Sequence, residues 1–555
     1  MQEFIDALKQ AGYEGDIDDS SDLLSAYSHD ASMFEMVPQL VVAPKNTKDV
    51  ERLVKVAQAT KTKIDNLSLT ARSAGTDMSG GAINESVIVD IKKYFTKIEN
   101  ICQESAKLQP GVFFRDFDAK AKEKGVLMPT YPASRDLCTV GGMVSNNAGG
   151  EKSIEFGQVV NFVNQLEFVF ADGVARTVKP LSKTELDKKM KQKDFEGQVY
   201  KQIFELIDKN YDQIKSAKPK VSKNSTGYNL WDVWDRESGV FDMTRLITGS
   251  QGTLGFVTDI EFRLTRARSD EGLLVIFVKD LKHLGELIKV VVDEKPSRFE
   301  SFDDNTLILS IRFMPYFLKF LGPIKFINLV IRLIPDALLL LRGVPRLVLM
   351  ASIKGDDPEE IKDRIHKLRL KLEENKKHYG ISGFEEAPYE RQGEKFWIMR
   401  RYSFQILRSK VKDKHTAPFI DDLVVNPEHL AEFLPKIRKI IKKYKLFATI
   451  AGHMGDGNFH IIPLMNIEQK TERNKILPAM KEVNKLVLKF GGSLSGEHND
   501  GLVRGPWLTE MYGKEMVKHF KEVKKIFDPN GLFNPHKKAD ATWEFSINRI
   551  RKNFD

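Results

Sequence analysis

Two glycine-rich loops, set in an alternating pattern of strands and helices, limit what this chain can become. From Leu40 it reads LVVAP, a strand, then NTKDVERLVKVAQAT, a helix with an Asn cap, then KIDNLSLTARSAGT. SVIVDIK and QLEFVFADG are further strands, and residues 181–245 read as an inserted helical piece. The loops themselves are TARSAGTDMSGGAI, Thr70–Ile83, and PTYPASRDLCTVGGMVSNNAGG, Pro129–Gly150. Gly, Ser, Thr and Asn let backbone N–H groups wrap an anion without a Cβ clash. Neither loop carries Gly-x-Gly-x-x-Gly or the P-loop pattern, so the usual nicotinamide and nucleoside-triphosphatase readings lack their signal. Each loop alone fits ordinary turn chemistry, but two in one α/β domain, with GSQGTLG at 249–255, point towards a dinucleotide.

The length of 555 residues calls for several domains. RLITGSQGTLGFVTDIEFRLT closes the first unit near Arg268, and strand-plus-helix units recur after it. The expected division is a helical lead-in over 1–37, a nucleotide-binding domain over 38–268, an α+β domain over 269–480 and a mainly helical segment over 481–555. The net charge of +9, from 86 basic and 77 acidic residues, is spread along the chain and gives no argument for nucleic acid. The only cysteines, Cys102 and Cys138, exclude a disulfide scaffold and an iron–sulfur cluster built from this chain alone. MQEFIDALKQAGYEG carries acidic residues and no apolar core, so it does not read as a signal peptide, and a cytoplasmic setting is expected.

Residues 311–350 are strongly apolar, yet no uncharged run approaches the ~18–20 residues of a spanning helix. Prolines at 315, 323, 335 and 345 divide the stretch. Arg312, Lys319, Lys325 and Arg332 recur at six- or seven-residue spacing and would share one helix face. One reading is a buried helix pair with snorkelling cations. The other, which we expect, is a segment lying peripherally on an anionic membrane surface.

The stretch AGHMGDGNFHIIPL, 451–464, reads as two strands joined at Asp456-Gly457, a strong hairpin dipeptide. Seven residues apart on one strand, His453 and His460 would face opposite ways; a hairpin can bring them together. Two histidines leave a metal site, a catalytic pair and an ordinary hairpin all open. SGEHND adds Glu497 and His498, and two imidazoles with a carboxylate form a plausible set for Zn²⁺, Mn²⁺ or Fe²⁺.

RSAGTDMSGG, TVGGMVSNNAGGEKSIEFGQVVNFV and LITGSQGTLGFVT resemble the flavin-binding half of the vanillyl-alcohol-oxidase-type flavoproteins. GHMGDGNFH, SGEHNDGLVRGPWL and IFDPNGLFNPHKK resemble the FAD-linked D-2-hydroxyacid dehydrogenases, those of D-lactate, glycolate and D-2-hydroxyglutarate. The resemblance runs from about Pro38 to Lys538. It implies an α+β fold: a two-part FAD-binding domain of vanillyl-alcohol-oxidase type, an α+β substrate (cap) domain, and a C-terminal helical segment that completes the active site. It implies that Arg72, Ser73, Ala74, Gly75, Thr76 and Asp77 hold the FAD pyrophosphate. Pro132, Ser134, Thr139, Gly141, Gly142, Ser145, Asn146, Asn147 and Gly149 would cradle the flavin and ribityl chain, with Gly252 and Val257 towards the adenine or pyrophosphate end. The first loop has no histidine tether and Cys138 reads as a small buried thiol, so FAD is expected to be non-covalent.

The same resemblance assigns a divalent metal to His453, His460 and Glu497, the base to His498, a place beside the substrate to Asn458, and the substrate carboxylate to Arg400, with Arg401 the alternative. Some relatives carry an asparagine two residues past the second histidine and a further lysine. Here Ile462 stands at the first position, and Lys414 is a misplaced counterpart for the second. The expected reaction is therefore oxidation of a D-2-hydroxyacid, D-lactate first, to the 2-oxoacid, with electrons passing to quinone, a separate electron-transfer protein or dioxygen. Oxidation takes a hydroxyl proton and a hydride from one carbon, which calls for a positioned base and an electrophile at the oxygens. The rivals are another flavin-dependent alcohol oxidase or dehydrogenase, a metal-dependent hydrolase using the same histidines, and a membrane-bound scaffold without turnover.

Overall fold

Strands Leu40–Ala43 and Val87–Asp90 are buried along their whole length, as the inner strands of a sheet covered on both faces must be. They pair in parallel, and Leu69–Arg72 extends the parallel set on the other side of Val87–Asp90. Helix Thr47–Thr60 covers this sheet and starts where expected, the Asn46 side chain accepting from the Asp49 amide at 3.1 Å. The lead-in does more than cover an edge: Asp16–Asp18 adds a fourth, antiparallel strand, and helix Gln2–Gln10 buries Phe4, Ile5 and Leu8 in the same core.

The structure is a computed structural model that describes residues 1–267, 270–312, 322–323, 327, 343–389, 391–400 and 414–553. Arg401 and most of the apolar stretch 311–350, including Lys319, Lys325, Arg332 and Arg342, lie outside the described residues. Among the described residues no helix is long and apolar enough to cross a membrane.

A second, antiparallel sheet of five strands follows in the order Ile98–Ile101, Ser105–Leu108, Phe256–Arg263, Val163–Val169, Ala175–Val178. Helices Lys183–Met190, Phe195–Lys209 and Tyr211–Ser216 form the helical insertion, and its apolar face joins this sheet's core. The second half is built on an eight-stranded antiparallel sheet. Its middle strands are Asp270–Val278, Leu347–Gly355 and Arg298–Asp303, and the hairpin Phe447–His453 and Asn458–Met465 lies beside Arg298–Asp303. Helix Ile476–Lys489 runs across the expected boundary at residue 480 and packs in this half's core.

The C-terminal part returns to the first half. Phe527, at the end of helix Leu508–Phe527, stacks on Phe170 with centroids 6.1 Å apart. The Leu69 amide donates to Leu532 and the Asn534 amide to Leu69, at 2.8 and 2.9 Å. This return path carries residues 496–500 across the junction between the halves.

Candidate active site

The hairpin turns through Met454–Asp456, and Gly457 takes the left-handed conformation (φ +63°) in which a Cβ would lie 1.8 Å from the Val425 carbonyl oxygen. His453 stands opposite Asn458 and His460 opposite Ala451, so the two histidines are diagonal neighbours on one face. Their rings are 5.2 Å apart and perpendicular, and His460 stacks on His498 at 5.1 Å. Glu497 Oε1 lies 3.4 Å from His453 Nε2, 3.4 Å from His460 Nε2 and 3.9 Å from His498 Nε2.

Buried carboxylates hold the far side of each ring. Glu300 meets His453 Nδ1 at 2.5 Å. Asp421 takes both His460 Nδ1, at 3.2 Å, and His498 Nδ1, at 2.7 Å. This places a proton on each Nδ1 and leaves the three Nε2 atoms turned towards Glu497. Asp422, also fully buried, accepts from the amides of Glu497 and His498 at 2.9 and 2.7 Å. Lys223 Nζ sits 3.0 Å from Glu497 Oε2 and so occupies the oxygen that faces away from the histidines.

The electrostatics follow this arrangement. Burial opposes ionisation of Glu497, but Lys223 and His453 outweigh it and hold the carboxyl well below its usual range. Burial likewise opposes ionisation of Asp421, and His498 and His460 reverse it, lowering the carboxyl. Burial works against a charged His460 too, yet its bonds to Asp421 and Glu497 lift it to about 10. His498 is raised in the same way, against burial, by Asp421 and Asp422.

A cavity of about 330 Å³ runs from this cluster to both glycine-rich loops. Its wall includes Ser73 to Asp77, Pro132, Ser134, Thr139, Gly142, Ser145, Asn146 and Gly252, and at its other end Glu497, His460, Ile462 and His498. Among the described residues that line it there is no Lys or Arg. The backbone N–H groups from Ser73 to Asp77 bond to no other described backbone group, so donors stand ready for an anion. A Cβ on Gly142 would meet nothing nearer than Thr139 Oγ1 at 3.8 Å, so a side chain there would grow into free space. Cys138 lines the wall, and burial pushes its thiol up to about 12.

The other expected site residues lie elsewhere. Gly141 and Val257 line a small adjoining cavity with Ser145 and Gly252. Arg72 donates to the His29 carbonyl at 2.8 Å and supports the loop from behind. Asn147 is a left-handed helix cap (φ +50°), its side chain accepting from the Val160 amide. Gly149 marks where the two halves touch, since a Cβ there would lie 3.0 Å from Glu497 Oε2. Asn458 is fully buried, with its amide donating to Asp422 and accepting from Lys223, and it does not line the cavity. Arg400 pairs with Glu300, behind His453, and does not line it either.

Two family models match the chain in succession: a FAD binding domain over residues 38–179 and the C-terminal domain of FAD linked oxidases over 269–538. The chain belongs to the FAD-linked oxidases. Its fold is that of vanillyl-alcohol-oxidase-type flavoproteins: 4-ethylphenol oxidase from Gulosibacter chungangensis superposes with a TM-score of 0.66 at 13% identity, covering 98% of each chain. D-2-hydroxyglutarate dehydrogenase from Escherichia coli is 25% identical over 96% of this chain, and the chain spans 51% of that relative's length. D-lactate dehydrogenase from Archaeoglobus fulgidus is 24% identical over 94% of this chain and 98% of the relative.

The site fits the groups this family implies. The unbonded amides of Ser73–Asp77 and the side-chain-free wall at Gly142 suit FAD, and the same cavity extends to His460 and His498. His453, His460 and Glu497 offer three ligand atoms within 4.8 Å of one another, a donor set suited to a divalent cation. Asp421, His460 and His498 form a second group at the same spacing, but there Asp421 holds the ring nitrogens that face away from the cavity. Sequence reasoning missed Glu300, Asp421, Asp422 and Lys223. The pair Asp421-Asp422 inside the apolar run FIDDLVV was a usable signal, because paired acids within an apolar run that becomes buried need partners. Lys223 gave none.

Proposed function

We propose that this FAD-linked oxidase oxidises a D-2-hydroxyacid to the 2-oxoacid, with D-lactate as the preferred substrate. The observation that supports it is the single cavity joining the two glycine-rich loops to His460, Glu497 and His498. We read His453, His460 and Glu497 as ligands of Zn²⁺, Mn²⁺ or Fe²⁺, and FAD as bound without a covalent tether. When bound, FAD supplies the hydride acceptor and the cation supplies positive charge at the substrate oxygens.

The chain's own residues do the rest. His498 Nε2 faces the cavity and takes the hydroxyl proton. Asp421, at 2.7 Å from His498 Nδ1, fixes the tautomer and steadies the imidazolium that forms. Glu300 and Asp421 hold His453 and His460 in the orientation that ligation needs. Ile462 offers an apolar wall beside His460, which suits the methyl group of lactate and not the distal carboxylate of 2-hydroxyglutarate.

Anaerobic mixing of FAD-loaded protein with D- and L-2-hydroxyacids tests this. D-lactate should bleach the flavin fastest, ahead of glycolate and D-2-hydroxyglutarate, and the L-acids should leave it yellow. His498→Ala should slow bleaching by about 10²–10⁴-fold with FAD retained. Failure of every D-2-hydroxyacid would overturn the proposal. We assign the electrons to quinone or a separate electron-transfer protein, with residues 311–350 as the contact to an anionic membrane. Co-sedimentation with anionic liposomes that weakens with salt is the expected result.

A further inference from the structure

A second cavity, of about 620 Å³, opens between the two halves of the chain, behind the flavin cavity. The wall between them is one turn of chain: Tyr131 faces this groove and Pro132 faces the other cavity. Among the described residues, six Lys or Arg line the groove against three acids. Two carboxylates beside Lys152, Glu151 and Glu271, already hold Arg298. Arg298 binds Glu151 at 3.1 Å and Glu271 at 2.6 Å, and Glu151 also accepts from the Tyr131 hydroxyl at 3.2 Å.

Lys152 is left over. It is only 8% exposed, and its ammonium lies 5.1 Å from the centre of the Tyr131 ring. Among the described residues it has no hydrogen-bond or ion-pair partner, and neither has the ammonium of Lys354, which shares the groove. A buried ammonium without a counter-charge is costly. Burial first, then Lys354 and Arg298, push Lys152 down to about 7, outweighing the attraction of Glu271 and Glu151. A cleft lined mainly by cations concentrates anions.

We propose that this groove is a second ligand site, separate from the flavin cavity, that binds a small multivalent oxyanion, a phosphate or a polycarboxylate, between Lys152 and Lys354. The enclosure favours a small ion over a flat acidic protein surface. The anion would supply the counter-charge that the engaged Glu151 and Glu271 do not, and it would bridge the flavin half, through Lys152, to the substrate half, through Lys354.

The test is calorimetric titration of the FAD-loaded protein with inorganic phosphate and, separately, citrate, in chloride buffer of matched ionic strength. Saturable binding of one equivalent is expected for at least one of them, and the tighter of the two identifies the class. Lys152→Met should weaken it at least ten-fold and Lys354→Met at least three-fold, with flavin content and unfolding midpoint as checks of folding. If Lys152→Met does not load flavin, Lys354→Met and Lys354→Glu carry the same comparison. No saturable heat from either anion, equal affinity in the variants, or binding only of an acidic polypeptide such as polyglutamate would each overturn the proposal.

Discussion

The two ends of the main cavity are built in opposite ways. At the end formed by the glycine-rich loops the wall is backbone: short residues, unbonded amides, and no Lys or Arg among the described lining residues. At the histidine end it is side chains, each oriented by a buried ion held by another: Glu300 by Arg400, Asp421 by two histidines, Glu497 by Lys223. A backbone wall tolerates change in its supporting side chains and fails when bulk is added. A wall of linked charges tolerates little, because removing one leaves another buried and unpaired.

The largest effect should come from Glu497→Ala. It removes the carboxylate that His453, His460 and Lys223 all face. Turnover should fall on the order of 10³-fold, and elemental analysis should show metal at background. Lys223 keeps Asp456 at 3.4 Å but loses its nearer partner, so stability should fall by at most about 3 kcal/mol, read from denaturant unfolding, while FAD stays bound. Metal retained at wild-type level would break the contrast.

Asp421→Asn comes next. It loosens His460 and His498 together, so turnover and metal affinity should each drop about 10–100-fold. A drop in turnover alone would restrict Asp421 to His498. Gly142→Leu tests the other end: its side chain grows into the cavity, and FAD should bind at least about ten-fold more weakly. Metal content should not move. Flavin absorbance after gel filtration reads the first and elemental analysis the second.

The smallest effect is a pH dependence in the flavin half. Asp30 is raised to about 7 by burial and by the neighbouring charge of Asp77. Its folded form keeps a proton that the unfolded chain releases near pH ~3.9. The stability it contributes is therefore complete below that value and lost as pH rises through about 7. The unfolding midpoint of Asp30→Asn should fall less between pH 5 and 8 than that of wild type, by on the order of a few degrees. Parallel curves would remove Asp30 from the account.

Much of the architecture was legible in the residues. The parallel strands, the Asn46 cap, the helical insertion and the hairpin at Asp456-Gly457 all stand where local pattern put them. The edge strand Asp16–Asp18 did not, since three residues with two acids carry no strand pattern until Leu40–Ala43 pairs with them.

By itself the sequence determined what depends on neighbours in the chain: turns that need glycine, loops that expose amides, and a strand pair that sets two histidines on one face. Those are backbone properties, fixed by φ, ψ and pleat within a few residues. Only the tertiary structure decided which charges serve the histidines. Glu300 reaches His453 across 153 positions, Asp421 reaches His498 across 77, and Lys223 reaches Glu497 across 274. It also decided that Arg400 and Asn458 stand behind the site and not in its cavity. A buried charge acquires its role from whatever the fold brings within about 3 Å, because its energy is set by desolvation and by partners, and neither is written in the local chain.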